Sequence, residues 1–337
     1  MPAQPEDLTD QPATPADGAS SDQLVREGLR CLQFSGALFL RASFSAPWAY
    51  RSAEARAISE MVRSAGRRVI MFHIFTEGQC RVQLDRGGIH ELRAGDIAIF
   101  PDSDNHSMGD PAIERPVPAI DLMPPQPWGP VSVIRHGGGG APSSMICGYL
   151  LCDDLPLHPV LASLPPFMRV RPSGGPLAKW VEASIHYAIH AAESREPVGD
   201  PLMQRLPELL FTECLCEFVR QQPADETGWL AALRDAVVGR ALASMHREPA
   251  YAWTLQELAK RAAASRSVMD DRFREYLGMA PMSYLTSWRL QLAARQLRTS
   301  DATLAEVAGA VGYGSEASFS RAFKRHVGVA PGEWRRA

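Results

Sequence analysis

Four side chains in the first half of the chain are of the types that bind metal ions: His73, Glu77, His106 and Cys147. Neutral imidazole and carboxylate serve zinc and other divalent ions, and a thiolate adds a soft ligand that suits zinc. The four fall among strand-like apolar runs, and inward-facing residues of neighbouring strands meet inside a small barrel. They could converge on a divalent metal, or they could line a pocket that takes an organic ligand. The six cysteines, Cys31, Cys80, Cys147, Cys152, Cys214 and Cys216, form no regular framework. That fits a reduced, cytoplasmic setting better than a disulfide scaffold. A thiol that senses oxidants needs a lowered pKa and exposure. Cys31, Cys147 and Cys214 stand in apolar stretches and read as core. Cys214 and Cys216, two apart on one helix, point to different faces and would not bridge easily.

The elements that must hold these residues change character along the chain. Between Arg68 and His106, apolar runs (Val69–Ile74, Arg81–Leu84, Ile97–Phe100) alternate with turn signals such as Asp85-Arg86-Gly87-Gly88 and Ala94-Gly95-Asp96. This predicts an all-β barrel or sandwich. Pro111–Pro142 is rich in proline and glycine. The run Gly137–Gly140 that ends it lacks the Lys-Ser/Thr of a phosphate loop and reads as a flexible loop. Ser144–Cys152 reads as another buried strand. From Leu177 to Arg220 the spacing becomes helical: Trp180, Ile185 and Ile189 open one amphipathic helix, and Leu206, Leu209, Leu210, Cys214 and Phe218 share a face of a second.

With 337 residues, 45% of them hydrophobic, the chain is long enough for about two domains. No run approaches the ~20 apolar residues of a membrane span. Residues 1–23 carry Glu6, Asp7, Asp10, Asp17 and Asp22 with no lysine, arginine or apolar stretch, so they read as a disordered tail and not a secretory signal. The net charge of −3 is unevenly spread: from Ala231 onward there are 16 basic and 10 acidic residues, against 19 and 28 before it. A basic C-terminal module on an acidic body suits a polyanion partner.

That module contains a duplication. Ser265, Phe273, Gly278 and Pro281 recur with the same spacing as Ser315, Phe323, Gly328 and Pro331, 50 residues later. Each copy reads as helix-turn-helix. Thr254 with Glu257, and Thr303 with Glu306, have the spacing of capping boxes at the start of a first helix. Leu255, Leu258 and Ala262 give that first helix an apolar face. Ser265 and Ser315 each cap a second helix that ends before a glycine. Met282–Leu297 reads as one longer connecting helix, with Tyr284, Leu285, Leu292 and Leu297 on its buried side. A second helix of this size fits the major groove, and two such units would face successive grooves about 34 Å apart.

The region from Trp253 to Arg335 resembles the DNA-binding domain of the AraC/XylS regulators. The match runs through Leu258-Ala259, Arg272-Phe273, Arg289-Leu290-Gln291-Leu292-Ala293-Ala294, Val311-Gly312-Tyr313-Gly314-Ser315-Glu316 and Phe319-Ser320-Arg321-Ala322-Phe323-Lys324. The resemblance implies that Arg266, Ser267, Asp270 and Asp271 face DNA from the first recognition helix, and Glu316, Ala317, Ser320 and Arg321 from the second. Lys324 would touch phosphate, while Phe273, Phe319 and Phe323 would be core. Two departures stand out. Ala263 occupies a turn position where the family commonly has glycine, and Asp270-Asp271 places two negative charges where phosphates approach. The first unit is therefore expected to bind more weakly or more selectively than the second.

Upstream, Gly95-x5-Pro101-x-Ser103-x2-His106 resembles the second cupin motif, with Ser103 in place of the usual glycine. His73-x-Phe75-x-Glu77-Gly78 resembles a first motif that has lost a histidine to Phe75. The segment from Leu24 to Pro223 is thus similar to the cupin-type sensor of some AraC-family proteins. The expected architecture is α+β and multidomain: a disordered tail (1–23), a cupin-like β-barrel with trailing helices for sensing and dimerisation (24–222), a linker (223–230) and an all-α domain with two helix-turn-helix units (231–337). The expected function is a sequence-specific regulator, often an activator in this family, that responds to a small molecule or a redox signal. Its implied partners are promoter double-stranded DNA, RNA polymerase, a second copy of the chain and the effector, with no membrane. The alternative is a metal-dependent cupin enzyme whose helical tail is an interaction module.

Overall fold

A computed structural model describes residues 20–336 apart from 30, 31, 33, 36–38, 62, 63, 65, 66, 125–130, 153–158, 173, 175–177, 185, 188–200 and 223–226. Residues 1–19 of the expected tail, Cys31, Ile185, Ile189 and residues 223–226 of the expected linker lie outside the described residues.

The first half is a pair of facing sheets. One runs β10-β2-β11-β4-β7-β12, with β1 on the other end of β11. Its strands are β1 (Phe34–Ser35), β2 (Phe39–Ser45), β4 (Arg68–Glu77), β7 (Ile97–Phe100), β10 (Val131–Gly137), β11 (Pro142–Cys152) and β12 (Met168–Val170). The other runs β6-β5-β8-β3-β9, from β3 (Trp48–Arg51), β5 (Gln79–Leu84), β6 (Ile89–Arg93), β8 (His106–Asp110) and β9 (Val117–Pro118). The two sheets read differently in sequence for one reason. β5 alternates exposed and buried residues because only one face is covered. β4 reads as a nearly continuous apolar run because both faces are covered. Met71, His73 and Phe75 look into the barrel, while Ile70, Phe72 and Ile74 look out onto helices.

Those helices join the two halves. Helix Ser21–Leu29 buries Leu24, Val25 and Leu29. Together with Leu210, Phe211, Cys214 and Val219 of helix Pro201–Gln221, they belong to one core that continues into Trp229, Leu242 and Tyr284 of the second half. Gly28 is the closest approach: a Cβ there would lie 2.8 Å from the indole of Trp229 and 2.8 Å from Val160. Only a glycine lets this helix settle onto Trp229. Helix Pro201–Gln221 buries Leu210 and Cys214 as its spacing predicts, but Leu209 is 53% exposed and leaves the buried face. The run Gly137–Gly140 is not a loose loop. The backbone N–H groups of Gly138 and Gly140 donate to Ser45 and Ala46, binding the run to the turn after β2.

The second half is helical throughout, with a buried polar centre. The indole N–H of Trp229 donates to the Tyr284 hydroxyl at 2.8 Å, and that hydroxyl pairs with His246 Nε2 at 2.8 Å. His246 in turn stacks on Trp288 at 3.9 Å.

Candidate functional site

Each helix-turn-helix unit is built as its spacing requires. In the first, helix Leu255–Arg261 begins at a full capping box of Thr254 and Glu257, and Ser265 accepts from the Val268 N–H to start helix Arg266–Leu277. In the second, Thr303 and Glu306 cap helix Leu304–Ala310, and Ser315 accepts from Ser318 to start helix Glu316–Val327. Each such cap contributes on the order of 1 kcal/mol. Gly278 and Gly328 close the two recognition helices in the left-handed conformation. The connecting helix spans Pro281–Thr299, slightly longer than its apolar pattern suggests, because Pro281 fits the first turn of a helix.

The two turns are not copies. The first helices are 49 residues apart and the recognition helices 50, so the second turn holds one residue more. Both turns place one residue in the left-handed region: Ala263 at φ 52° and Gly312 at φ 83°. The following N–H reaches back to the first helix in each case, Ala264 to Ala259 at 2.9 Å and Tyr313 to Ala308 at 2.8 Å. The first unit thus manages without the glycine by accepting a strained alanine. Arg240 steadies this turn by donating to the Ala262 carbonyl at 2.7 Å.

The expected DNA-facing residues are on the outside. Arg266, Ser267 and Asp271 are exposed and Asp270 is half-buried; Glu316, Ala317, Arg321 and Lys324 are exposed and Ser320 is half-buried. Phe273, Phe319 and Phe323 are fully buried. Electrostatically the two helices differ. In the first, Arg274 pairs with Asp270 at 2.8 Å, and Arg272 is drawn to Asp235 at 3.0 Å, away from the exposed face. In the second, Arg321, Lys324 and Arg325 are exposed with a single acidic residue, Glu316, on the same helix. Sequence reasoning missed Val268, an exposed valine beside Arg266 and Ser267, because a lone apolar residue on an amphipathic helix reads as core. It also missed Arg289, which donates to the Pro249 and Tyr251 carbonyls at 2.6 Å and orients the loop before the first unit.

The four side chains expected to converge in the barrel do not. His73 and Cys147 are register partners on β4 and β11 and line one cavity. Glu77 lies at the exposed end of β4 and accepts from the Ser144 hydroxyl at 3.1 Å, so it is an outer residue. His106 is buried and stacked on Phe100 at 3.7 Å, its Nδ1 paired with the Asp104 carbonyl at 2.9 Å. Its ring lies 5.8 Å from that of His73, centroid to centroid. Among the described residues, no three His, Cys, Asp or Glu side chains are placed to hold a metal ion. This donor set does not fit a metal centre, since the spacing of β4 carries Glu77 past the barrel rim. Ser103, at φ 52°, takes the strained position of the motif glycine and fixes it by donating to the Val69 carbonyl at 2.7 Å.

The cavity itself holds about 120 Å³ and opens beneath the short helix Ala119–Leu122. Its wall is apolar, from residues such as Leu40, Met71, Ile134 and Met123. Burial, with a smaller contribution from nearby His106, holds the His73 imidazole down to about 3, so it is neutral. Burial holds His106 down to about 4 and pushes the Cys147 thiol up to about 12. Cys216 is likewise pushed up to about 12, and Cys80 and Cys214 are raised too, chiefly by burial. Thiols so held are poor nucleophiles.

Comparison with known proteins agrees with this division. A family model described as Cupin matches residues 24–221, and one described as Helix-turn-helix domain matches residues 258–337. A protein of Streptomyces lividans described as an AraC-like transcription regulator is 35% identical over 279 residues, 82% of this chain and 89% of its own. One of Streptomyces antibioticus, described in the same words, is 42% identical over 178 residues, 52% of this chain and 58% of its own. Among solved structures, the DNA-binding domain of AdpA in complex with a target DNA is 33% identical over 30% of this chain and 91% of that one, with a TM-score of 0.29. The relatives are named as regulators and not as enzymes, which sets the metal-dependent enzyme reading aside. The chain belongs to the AraC family of DNA-binding transcription regulators, with an N-terminal cupin domain and a C-terminal pair of helix-turn-helix units.

Proposed function

We propose that this regulator adjusts its hold on promoter DNA according to whether a small molecule occupies the barrel cavity. The observation that carries the reading is the shared core. The wall strand β4 packs its outer face on the same cluster that contains Trp229, the residue on which Gly28 settles, so a change in the barrel can bias how the second half is presented. A ligand that favours one of two arrangements shifts the population by its difference in affinity for them. A small molecule is favoured over an oxidant because burial raises the pKa of Cys80, Cys147, Cys214 and Cys216.

On the DNA, Arg321 and Lys324 would supply most of the contact, with Arg266, Ser267, Asp270, Asp271, Glu316, Ala317 and Ser320 reading bases or positioning backbone. The exposed methyls of Val268 suit a thymine methyl group. Helix Pro201–Gln221 would pair with a second copy, a role for which outward Leu209 is suited. Activation through contact with RNA polymerase, in the cytoplasm, completes the reading.

The test is a gel-shift titration on the DNA flanking its own gene, comparing the native chain with Gly28→Ala. The added methyl collides with Trp229 and Val160, so the reading expects DNA affinity to change severalfold while circular dichroism stays native. Equal affinity in the two proteins would remove the coupling between the halves.

A further inference from the structure

We propose that the barrel cavity selects small, uncharged, mainly hydrocarbon molecules that carry one hydroxyl or carbonyl group, and that His73 is the residue that reads that group. The inference rests on the sensing reading above and adds the chemical class of the ligand.

Size is the first constraint. A cavity of about 120 Å³ is close to the roughly 150 Å³ that, in an engineered apolar cavity, takes up a benzene-sized guest. A six-carbon ring or short branched chain fits; a sugar or nucleotide does not. Charge is the second. Among the described residues, the lining contains no lysine, arginine, aspartate or glutamate. An ionised ligand would lose its hydration with no counter-charge in return, a cost far above that of burying a neutral polar group.

The third constraint is His73. Its side chain is 4% exposed, lines the cavity, and neither ring nitrogen has a hydrogen-bond partner among the described residues. Buried polar atoms are nearly always paired, and leaving one without a partner is unfavourable. A neutral imidazole offers one donor and one acceptor. Two other polar lining groups are already engaged: the Tyr50 hydroxyl donates to Met108 Sδ at 2.8 Å, and Ser52 Oγ accepts from the His106 N–H at 2.9 Å. His73 is thus the buried lining side chain with both a donor and an acceptor left for a ligand hydroxyl or carbonyl.

The experiment is calorimetric titration of the full chain at pH 7.5 with cyclohexanol, cyclohexane and cyclohexanecarboxylate, in the native protein and in His73→Phe and His73→Gln. Cyclohexanol is expected to bind at least tenfold more tightly than the carboxylate. His73→Phe should erase the preference for cyclohexanol over cyclohexane, and His73→Gln, which keeps a donor and an acceptor, should restore part of it. The Gln variant also guards against a Phe variant that fails to fold. Binding of the carboxylate as tightly as the alcohol, a preference unchanged in both variants, or no binding of any of the three would overturn the inference. A gel shift with each probe separates the two readings. Cyclohexanol that binds without altering DNA affinity leaves the ligand class standing and removes the sensing; a carboxylate that binds and alters DNA affinity does the reverse.

Discussion

The two helix-turn-helix units share caps, helix lengths and one core phenylalanine, Phe273 in the first and Phe323 in the second, yet they differ in the charges they present to DNA. The first recognition helix carries three arginines against Asp270, Asp271 and Glu275, and two of its arginines are spent on Asp270 and Asp235. The second carries Arg321, Lys324 and Arg325 against Glu316 alone. Since phosphate neutralisation supplies sequence-independent affinity, duplication of a fold has not duplicated its electrostatics. On the function proposed above, the second unit would hold DNA and the first would discriminate. Their turns differ in a parallel way: a glycine serves the second at no steric cost, whereas the first tolerates an alanine in the same left-handed conformation.

Each difference can be pressed by substitution. The largest effect is expected for Gly312→Ala. Its Cβ would lie 2.7 Å from the Ala250 carbonyl oxygen, at a φ that alanine adopts with strain. Chemical denaturation should show a loss of about 2–4 kcal/mol; a loss as small as a surface change would mean that the second turn has the slack of the first. Next comes Arg321→Ala, expected to weaken DNA binding by roughly tenfold or more and to flatten its salt dependence. Unchanged binding in a gel shift would hand the dominant role to the first unit. Replacing Asp270 and Asp271 together by asparagine should tighten non-specific binding, by about 0.2–1 kcal/mol for each charge removed. Loss of binding to the specific site in the same variant would show that these carboxylates read bases. The smallest effect is Ala263→Gly, which relieves the left-handed alanine against a looser unfolded chain. A gain of about 0.5–1 kcal/mol is expected, and a loss would show that the alanine methyl makes a contact of value.

The units were legible in the sequence because everything that defines them is local. A capping box spans four residues, a recognition helix twelve, and both recur at nearly fixed intervals, so Thr254, Ser265, Thr303 and Ser315 stand where their spacing puts them. The barrel was legible as strands, but of its site only His73 and Cys147 were. The cavity wall draws on Leu40, His73, Met123 and Cys147, brought together only by strand register across a hundred residues. Motif spacing also misled, because Glu77 sits close to His73 in sequence yet beyond the rim in space. Leu209 failed for a related reason: helical periodicity marks an apolar face but does not say what covers it.

The meeting of Gly28 with Trp229 also bears on how the protein is made. The helix that carries Gly28 leaves the ribosome well before Trp229, the residue it packs on, which lies about two hundred residues further along the chain. At ~5–20 residues per second, Leu24, Val25 and Leu29 would wait on the order of ten to forty seconds for their partners. This helix is thus made long before the indole against which it settles, and the two halves can join there only once Trp229 has followed it.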